Sequence, residues 1–369
     1  MQSSQDADVV IVITCGFSFL QQNESIAKMK HLKEQMKEGA ELWVGGCLPR
    51  INPSFVGQIG ASHLFDPRHL EAIDELVNHN GTIETFIPNR AYSEITGLPE
   101  TIFPIRISTG CLDRCRFCQI WRATGNLCSL PIEKLVLEVR IAASGGANIF
   151  HLVGEDCGCY GLDIGVDIFE LVSELHKQVP DCLFYLSSIN PRYFTKNIDR
   201  FLKMFSLRSM GPRLGLPLQS GSDRVLHLMG RRYTVTEFVS AVKRFRESFP
   251  QVALATDVLV GFPSETEEDF NQTLRLILAL DFEYIDCFKF DAVEGAPAAY
   301  LHGQIPEEVK LHRQRLILAA VLTRFVEKRG IQTIEELERI AENPSQGLPV
   351  NINAESLSTY GTQIIKEND

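Results

Sequence analysis

The segment Ser108-Thr-Gly-Cys111-Leu-Asp-Arg-Cys115-Arg-Phe-Cys118-Gln-Ile-Trp121 places three cysteines in one short loop. Their spacing allows three thiolates to converge on a single iron–sulfur cluster, which leaves a fourth iron without a protein ligand. An open metal position is typical of a catalytic site, because a small molecule can bind there. A zinc site is the alternative, but zinc usually takes four protein ligands, often from two C-x2-C pairs, and no second pair follows. The loop therefore predicts a catalytic iron–sulfur cluster.

The C-x3-C-x2-C spacing resembles the signature of radical S-adenosylmethionine (SAM) enzymes. The resemblance implies that Cys111, Cys115 and Cys118 hold a 4Fe–4S cluster whose open iron chelates the amino and carboxylate groups of SAM. It implies further that an electron from the cluster cleaves SAM to a 5′-deoxyadenosyl radical, with flavodoxin or ferredoxin as the electron donor.

Strand-like segments alternate with helical ones on both sides of this loop. Residues 8–14 are a continuous run of β-branched residues, typical of a buried parallel strand, and shorter strands are predicted at 42–44 and 62–65. Helices are predicted between and after them, at 24–38 and 68–77. Beyond residue 102, six strands separated by helical stretches are predicted at 103–108, 147–153, 182–187, 213–218, 252–260 and 284–290.

This alternation predicts an α/β protein in three parts. A small, truncated parallel α/β domain occupies 1–97, with a polar linker at 89–100; a radical SAM core barrel occupies 98–330; a short extension occupies 331–369. Six strand–helix repeats fit a partial (β/α)6 barrel, in which reactive groups lie on loops after the strands. An open doubly wound sheet has similar repeats, and the cysteine loop favours the barrel.

Composition limits the setting of this chemistry. The 369 residues contain ten cysteines and no segment typical of a signal peptide, so we expect a reducing, cytoplasmic location and metal chemistry instead of disulfides. No run of about 18 apolar residues predicts a membrane span. The net charge of −11 argues mildly against a nucleic-acid substrate, although it does not exclude a local basic patch.

Three further segments resemble motifs of radical SAM methylthiotransferases, which insert sulfur into unactivated C–H bonds of tRNA adenosines or of a ribosomal-protein aspartate. These segments are Gly154–Asp163, Pro217–Tyr233 and Thr256–Phe270. Gly125-Asn-Leu127 and the Glu-Asp-x-Gly-x-Tyr-Gly pattern from Glu155 resemble the branch that acts on threonylcarbamoyladenosine in tRNA.

Polar residues at the predicted strand ends are candidates for binding SAM. Gly154 lets the backbone approach a ligand, Glu155 or Asp156 is placed to bind the ammonium group, and Gln219 with Ser220 to bind the ribose or carboxylate. The remaining candidates are Arg231 or Arg232 for a carboxylate, and Gly261, Phe262 and Pro263 as a turn against the adenine. For each, the alternative is a turn, capping or solvated residue.

Cys15 and Cys47 each end a predicted strand of the first domain, so parallel pairing places both thiols at one edge. The family resemblance implies that they are the second and third of three cysteines holding an auxiliary iron–sulfur cluster. We expect the first in an earlier strand that this sequence does not contain. Two thiolates with another ligand, a different cluster, and no cluster with two buried thiols all remain open.

The other cysteines are expected to be mostly structural. Cys157 and Cys159 flank Gly158 in a motif loop, where they are either packed thiols, the favoured interpretation, or a cluster ligand or sulfur acceptor. The three cysteines farther from the motifs are predicted to be structural: Cys128, Cys182 and Cys287.

Two departures from the family bear on the substrate. The family pattern Ser-x-Arg-x-Gly-Thr-x-Ala reads Asp291-Ala-Val293-Glu-Gly295-Ala296-Pro-Ala298, which replaces a cation by Val293. Residues 331–369 are too few for the family's RNA-binding β-barrel. We therefore expect sulfur insertion into a small molecule or peptide. The alternatives are a tRNA adenosine, an epimerase or dehydrogenase without sulfur transfer, and a non-catalytic scaffold, against which the intact cysteine loop argues.

Overall fold

A computed structural model describes residues 5–16, 19–66, 102–341 and 348–350. These residues form two compact units. The first unit lies within Met1–Ile87, Thr109–Asn126 and Asp291–Tyr300, and the second within Pro88–Ser108, Leu127–Phe290 and Leu301–Asp369. The cysteine loop is thus grouped with the N-terminal layer. The domain boundary predicted at residue 97, the linker at 89–100 and the helix at 68–77 lie outside the described residues.

The first unit contains a parallel three-stranded sheet in the order β1–β2–β3. Its strands and helices are β1 (Val9–Thr14), α1 (Phe19–Gln35), β2 (Glu41–Gly46), α2 (Leu48–Ile51), α3 (Pro53–Gln58), β3 (His63–Leu64) and α4 (Ile120–Thr124). Apolar side chains of the first two strands, such as Val12 and Val44, pack on Met29 of α1 to form its core. The small parallel α/β layer predicted from the sequence is therefore present.

The second unit begins with β4 (Ile102–Arg106), and the two-residue β5 (Ser108–Thr109) follows at the boundary between the units. Further strands and helices of the second unit are β6 (Cys128–Ser129), α5 (Ile132–Ser144), β7 (Ile149–Val153), α6 (Ile168–Gln178), β8 (Leu183–Leu186), α7 (Pro191–Lys196), α8 (Ile198–Phe205), β9 (Arg213–Gly215), α9 (Asp223–Met229), α10 (Val235–Ser248), β10 (Ala253–Val260), α11 (Glu267–Leu280), β11 (Tyr284–Lys289), α12 (Glu307–Arg329) and α13 (Ile334–Ala341).

Six parallel strands of the second unit follow one another in chain order. β4, β7 and β8 form one sheet, and β9, β10 and β11 form another. A parallel bridge between Phe184 and Met210 joins the two. In the part of the chain that is described, no pairing closes β11 onto β4, so the strands form an open arc. The partial (β/α)6 arrangement predicted from the sequence is confirmed, and the arc ends where Ile285 pairs with Val350.

Helix packing and capping explain why the second unit forms. One continuous apolar core runs through it, and Phe150, Phe184 and Phe245 are fully buried there. Capping boxes begin three of its helices, at Asp167, Thr234 and Thr266, because each side chain accepts a hydrogen bond from a backbone N–H of the first turn. Half of the same motif is present at Thr333, whose Oγ1 accepts from the Glu336 N–H at 3.2 Å, while Glu336 Oε2 accepts from the Gln332 N–H at 3.0 Å.

Candidate active site

The three cysteines of the loop lie close enough for their thiols to interact. Burial, together with the neighbouring Cys115 and Cys111, raises the pKa of the Cys118 thiol to about 12. Backbone N–H groups point at two of the sulfurs: Asp113 N donates to Cys111 Sγ and Ile120 N to Cys118 Sγ, each at 3.3 Å. Because such donors favour thiolates over thiols, and metal binding removes the thiol proton, this donor set fits an iron–sulfur cluster.

The backbone around the cysteine loop is fixed on both sides. Gly110 has φ +79°, and a Cβ there would lie 2.0 Å from the Asn126 carbonyl oxygen, so only glycine fits. Arg114 donates to the Asn126 side chain at 2.7 Å and to the Cys111 carbonyl at 2.6 Å. Helix α4, which follows the loop, packs on α2. The loop is therefore preorganised by its own chain and by the N-terminal layer.

Residues 291–300 also hold the cysteine loop, a role that the sequence did not reveal. Gln119 Nε2 donates to the Glu294 carbonyl at 2.5 Å, and Ala298 N donates to the Arg116 carbonyl at 2.9 Å. These partners are about 180 residues apart in the chain, and no local pattern predicts such a pairing. The only sequence signal was the departure from the family pattern between Asp291 and Ala298.

Cys15 and Cys47 are neighbours at the carboxyl edge of the N-terminal sheet. The strand register pairs Thr14 with Gly46, and each cysteine is the next residue along its strand. Cys47 N donates to the Thr14 carbonyl at 3.0 Å, and a Cβ on Gly16 would lie 2.9 Å from Cys47 Cβ. Cys15 is exposed and Cys47 half-buried. This placement suits two ligands of one group, and their role as cluster ligands stays a prediction.

The candidate residues in the loop after β7 differ in the contacts that they make within the fold. A Cβ on Gly154 would lie 2.8 Å from Ser108 Oγ, so the glycine permits close packing. Asp156 is buried, and its Oδ1 accepts from Gly158 N at 2.9 Å and Asn190 N at 3.0 Å. That carboxylate therefore shapes the loop, which leaves Glu155 as the better candidate for an ammonium ligand.

The arrangement of Cys157 and Cys159 is that of packed thiols. Both are fully buried. Their Sγ atoms donate to the carbonyls of Leu152 at 3.4 Å and Asp156 at 3.1 Å. Burial raises the pKa of the Cys157 thiol far above its usual range, so it is neutral at physiological pH. Cys182 and Cys287 are buried as well, whereas Cys128 is exposed.

Gln219 and Ser220, the candidates after β9, differ in their surroundings. Gln219 has φ +65°, and its N–H donates to the Asp257 carbonyl at 3.0 Å, which fixes an uncommon left-handed conformation there. The Ser220 hydroxyl is fully buried, 3.3 Å from Thr273 Oγ1, and accepts from Ser222 N at 3.2 Å. Ser220 thus has the contacts of a turn residue.

Arg231 and Arg232 differ in their exposure to solvent. Arg231 is half-buried, donates from Nη2 to the Pro217 carbonyl at 3.1 Å and interacts electrostatically with Asp257, whereas Arg232 is exposed. Arg231 is therefore the better candidate for a ligand carboxylate.

A buried ion pair supports the predicted turn at Gly261, Phe262 and Pro263. Gly261 N donates to Glu265 Oε2 at 2.6 Å, and Arg313 Nη1 donates to the same oxygen at 2.8 Å. The Phe262 ring is fully buried and packs edge-on against Phe290.

A pair of carboxylates on adjacent strands was not predicted from the sequence. Asp257 on β10 is in register with Asp286 on β11. Burial raises the pKa of Asp257 to about 7, Asp286 adds to the effect, and Arg231 opposes it. The available signal was an acidic residue inside each of two otherwise apolar strands, since parallel strands covered on both faces are usually apolar throughout.

Comparisons with known proteins agree with this geometry. Residues 105–277 match the radical SAM superfamily, and residues 1–62 match the uncharacterized protein family UPF0004. A probable threonylcarbamoyladenosine tRNA methylthiotransferase of Methanocaldococcus jannaschii is 31% identical over 85% of this chain and 74% of its own length. A ribosomal protein uS12 methylthiotransferase of Proteus mirabilis is 30% identical over 94% of this chain and 78% of its own length.

Solved structures show the same fold. A radical SAM methyltransferase from Kitasatospora setae, solved with cobalamin and a 4Fe–4S cluster, superposes with a TM-score of 0.57 at 16% identity. The match covers 76% of this chain and 63% of that one. None of the helices in the described ranges is long and apolar enough to cross a membrane.

Proposed function

The chain belongs to the radical SAM methylthiotransferase family, and on that premise we propose that it methylthiolates threonylcarbamoyladenosine in tRNA. One observation carries the proposal: the relatives named for this substrate align with about 85% of the chain at 30–31% identity. A tRNA substrate also agrees with the cytoplasmic location expected from the sequence.

The small-molecule or peptide substrate expected from the sequence is not supported. The similar curated proteins are named for tRNA or for a ribosomal protein. The net charge of −11 was a weak argument, because it describes the whole chain while RNA binding depends on local patches. The change at Val293 was a sounder observation, but its consequence depends on which other cations lie near the 291–300 loop.

The protein is a radical SAM enzyme that uses a 4Fe–4S cluster and SAM. When bound, these groups supply the 5′-deoxyadenosyl radical that removes a hydrogen atom from the carbon to be modified. Cys111, Cys115 and Cys118 would hold the cluster, and the N–H donors of Asp113 and Ile120 lower the cost of negative charge on the sulfurs. Cys15 and Cys47 would hold the auxiliary cluster that methylthiotransferases carry.

The SAM-binding residues belong to the proposal as well. Glu155 binds the ammonium group, Arg231 the carboxylate and Gln219 the ribose, while Gly154 and the turn at Gly261 leave room for the ligand. Half-burial of Glu155 and Arg231 supports these two assignments, because charge-assisted hydrogen bonds are stronger when partly shielded from water. Arg232, which is exposed, is the weaker candidate.

Anaerobic turnover of the reconstituted protein tests the substrate. The protein would be incubated with SAM, dithionite, sulfide and anticodon stem-loop RNA carrying threonylcarbamoyladenosine, and the digested nucleosides would be analysed by mass spectrometry. We expect a methylthio group in place of one hydrogen on that nucleoside only. Unmodified RNA and the ribosomal protein uS12 are parallel substrates, and a sulfur-containing product from either of these alone would overturn the proposal.

A further inference from the structure

Among the described residues, two polar side chains on one face of α4 each carry a buried atom without a hydrogen-bond partner. Gln119, at the N-cap position of the helix, is only 4% exposed, and Arg122 lies three residues later on the same face. Gln119 Oε1 and Arg122 Nη1 are both buried and, among the described residues, have no hydrogen-bond partner. Leaving a charged donor and an amide oxygen buried and unsatisfied is costly, so a ligand is expected to satisfy them.

The 291–300 loop makes room for the guanidinium group. Gly295 has φ +89°, and a Cβ there would lie 1.6 Å from Arg122 Nη1 and 2.8 Å from its Cζ. The guanidinium therefore lies against the bare backbone of Gly295. Gln119 is fixed to the same loop through the Glu294 carbonyl at 2.5 Å, and Gly295 N donates to Tyr300 Oη at 3.3 Å. Donor and acceptor are thus held in place before any ligand binds.

The chemistry of this pair selects an anion that carries a hydrogen-bond donor beside it. A guanidinium group binds carboxylates through charge-assisted hydrogen bonds, and the amide oxygen of Gln119 accepts an N–H or O–H. The threonylcarbamoyl group offers both, because its carboxylate lies next to a carbamoyl N–H and a hydroxyl. A dimethylallyl group, named in the product of other relatives, offers neither.

We propose that Arg122 binds the carboxylate of the threonylcarbamoyl group and that Gln119 Oε1 accepts a hydrogen bond from the same group, so that these residues determine substrate specificity. The inference rests on the proposed function and names the subsite that selects its substrate. It also explains Val293: Arg122 supplies from α4 the cation that the 291–298 segment lacks. A site built on polar contacts rejects an apolar analogue strongly, because its own groups would then stay unsatisfied.

Binding to three stem-loop RNAs tests the assignment without turnover. The RNAs carry threonylcarbamoyladenosine, its carboxylate methyl ester, or unmodified adenosine, and affinities are measured by fluorescence anisotropy on the iron-loaded protein. We expect the wild type to prefer the acid over the ester by about tenfold to a hundredfold, as for a hydrogen-bonded charge. Arg122→Gln should lose that preference, and Arg122→Lys, which keeps the charge, should retain part of it.

Arg50→Gln is the matched control. Arg50 is an arginine of the same unit that pairs with Asp66 at 3.1 Å, so its loss removes the same charge from a residue outside α4 and the 291–300 loop. It should leave the preference for the acid intact. Iron content and circular dichroism show that each variant is folded.

Two results would overturn the assignment while leaving the proposed function standing. In one, Arg122→Gln keeps the full preference for the acid over the ester. In the other, Arg122→Gln weakens the binding of all three RNAs by the same factor and reduces the salt dependence of binding, as loss of a phosphate contact would. If the wild type binds all three RNAs equally, the proposed function and the assignment both fail.

Discussion

The hydroxyl group of Thr14 donates a hydrogen bond to the Gly45 carbonyl at 2.7 Å. The same oxygen accepts from the Leu48 N–H at 3.2 Å, and Thr14 is only 3% exposed. One buried side chain therefore joins the end of β1, which leads to Cys15, to the turn that carries Cys47. The relative position of the two thiols depends on this bridge.

Replacing Thr14 by valine should loosen that edge of the sheet. Thr14→Val leaves the Gly45 carbonyl and the Leu48 N–H without their partner, which we expect to cost about 1–3 kcal/mol. We predict a lower melting temperature and less iron per chain after reconstitution. Thr14→Ser, which keeps the hydroxyl, is the control, and wild-type iron content in Thr14→Val would show that the bridge does not position the cysteines.

Loss of a cysteine in the loop should stop radical formation. Cys111→Ala removes one of three cluster ligands, so we predict no 5′-deoxyadenosine from SAM under dithionite. Cys128→Ala removes an exposed cysteine outside the loop and should cleave SAM as the wild type does. Continued SAM cleavage by Cys111→Ala would contradict the radical SAM assignment of the loop.

The N-terminal cysteines should affect sulfur insertion and not SAM cleavage. For the double variant Cys15→Ala/Cys47→Ala, we predict reduced iron content, retained 5′-deoxyadenosine formation and no sulfur-containing product. The reason is that the auxiliary cluster, not the SAM-binding cluster, would lose its ligands. Iron equal to the wild type would remove the case for an auxiliary cluster at these residues.

The half-buried carboxylate of Asp257 should make stability depend on pH. Burial raises its pKa from 3.8 to about 7. Between these values the folded protein binds a proton that the unfolded chain releases, so the unfolding free energy falls as pH rises from about 4 to 7. Asp257→Asn removes this penalty and should stabilise the protein by about 3 kcal/mol or less at pH 8.

Thermal unfolding at pH 5 and pH 8 measures this difference. The gain from Asp257→Asn should be larger at pH 8, where the wild-type carboxylate is charged. Glu247→Gln, an exposed acidic residue of the same unit, is the matched control. An equal gain at both pH values would mean that Asp257 titrates as an ordinary carboxylate.

The ion pair behind the Gly261 turn should be sensitive to the loss of one partner. Arg313 and Glu265 are 6% and 0% exposed in their side chains. Arg313→Met leaves the Glu265 carboxylate buried without its cation, which we expect to destabilise the second unit by about 3–5 kcal/mol. The double variant with Glu265→Gln should recover part of the loss in thermal unfolding.

Arg315→Met, an exposed change two residues along α12, should alter stability by no more than about 0.5 kcal/mol. If Arg313→Met has the same melting temperature as the wild type, the ion pair does not support the turn.

The sequence predicted most of the strands because their signals are local. The run at 8–14 and the six later strands follow from apolar patterning, and their observed bounds differ mainly at the ends, as for β9, which stops at Gly215. Site residues were harder to assign. Asp156 and Ser220 are candidates because they are polar and follow strands. The structure adds that Asp156 Oδ1 accepts from Asn190 N and that Ser220 Oγ lies 3.3 Å from Thr273 Oγ1, and the binding of a ligand by either residue stays a prediction.

The sequence alone determined the chemistry, because short-range backbone geometry is enough to bring the thiols of three cysteines in one loop together as cluster ligands. It also placed Cys15 and Cys47 at one sheet edge, since parallel strands align their carboxyl ends. Only the tertiary structure brought Gly295 against Arg122 and Glu294 against Gln119. These contacts join residues more than 170 positions apart, and they depend on how the whole chain folds back on the cysteine loop.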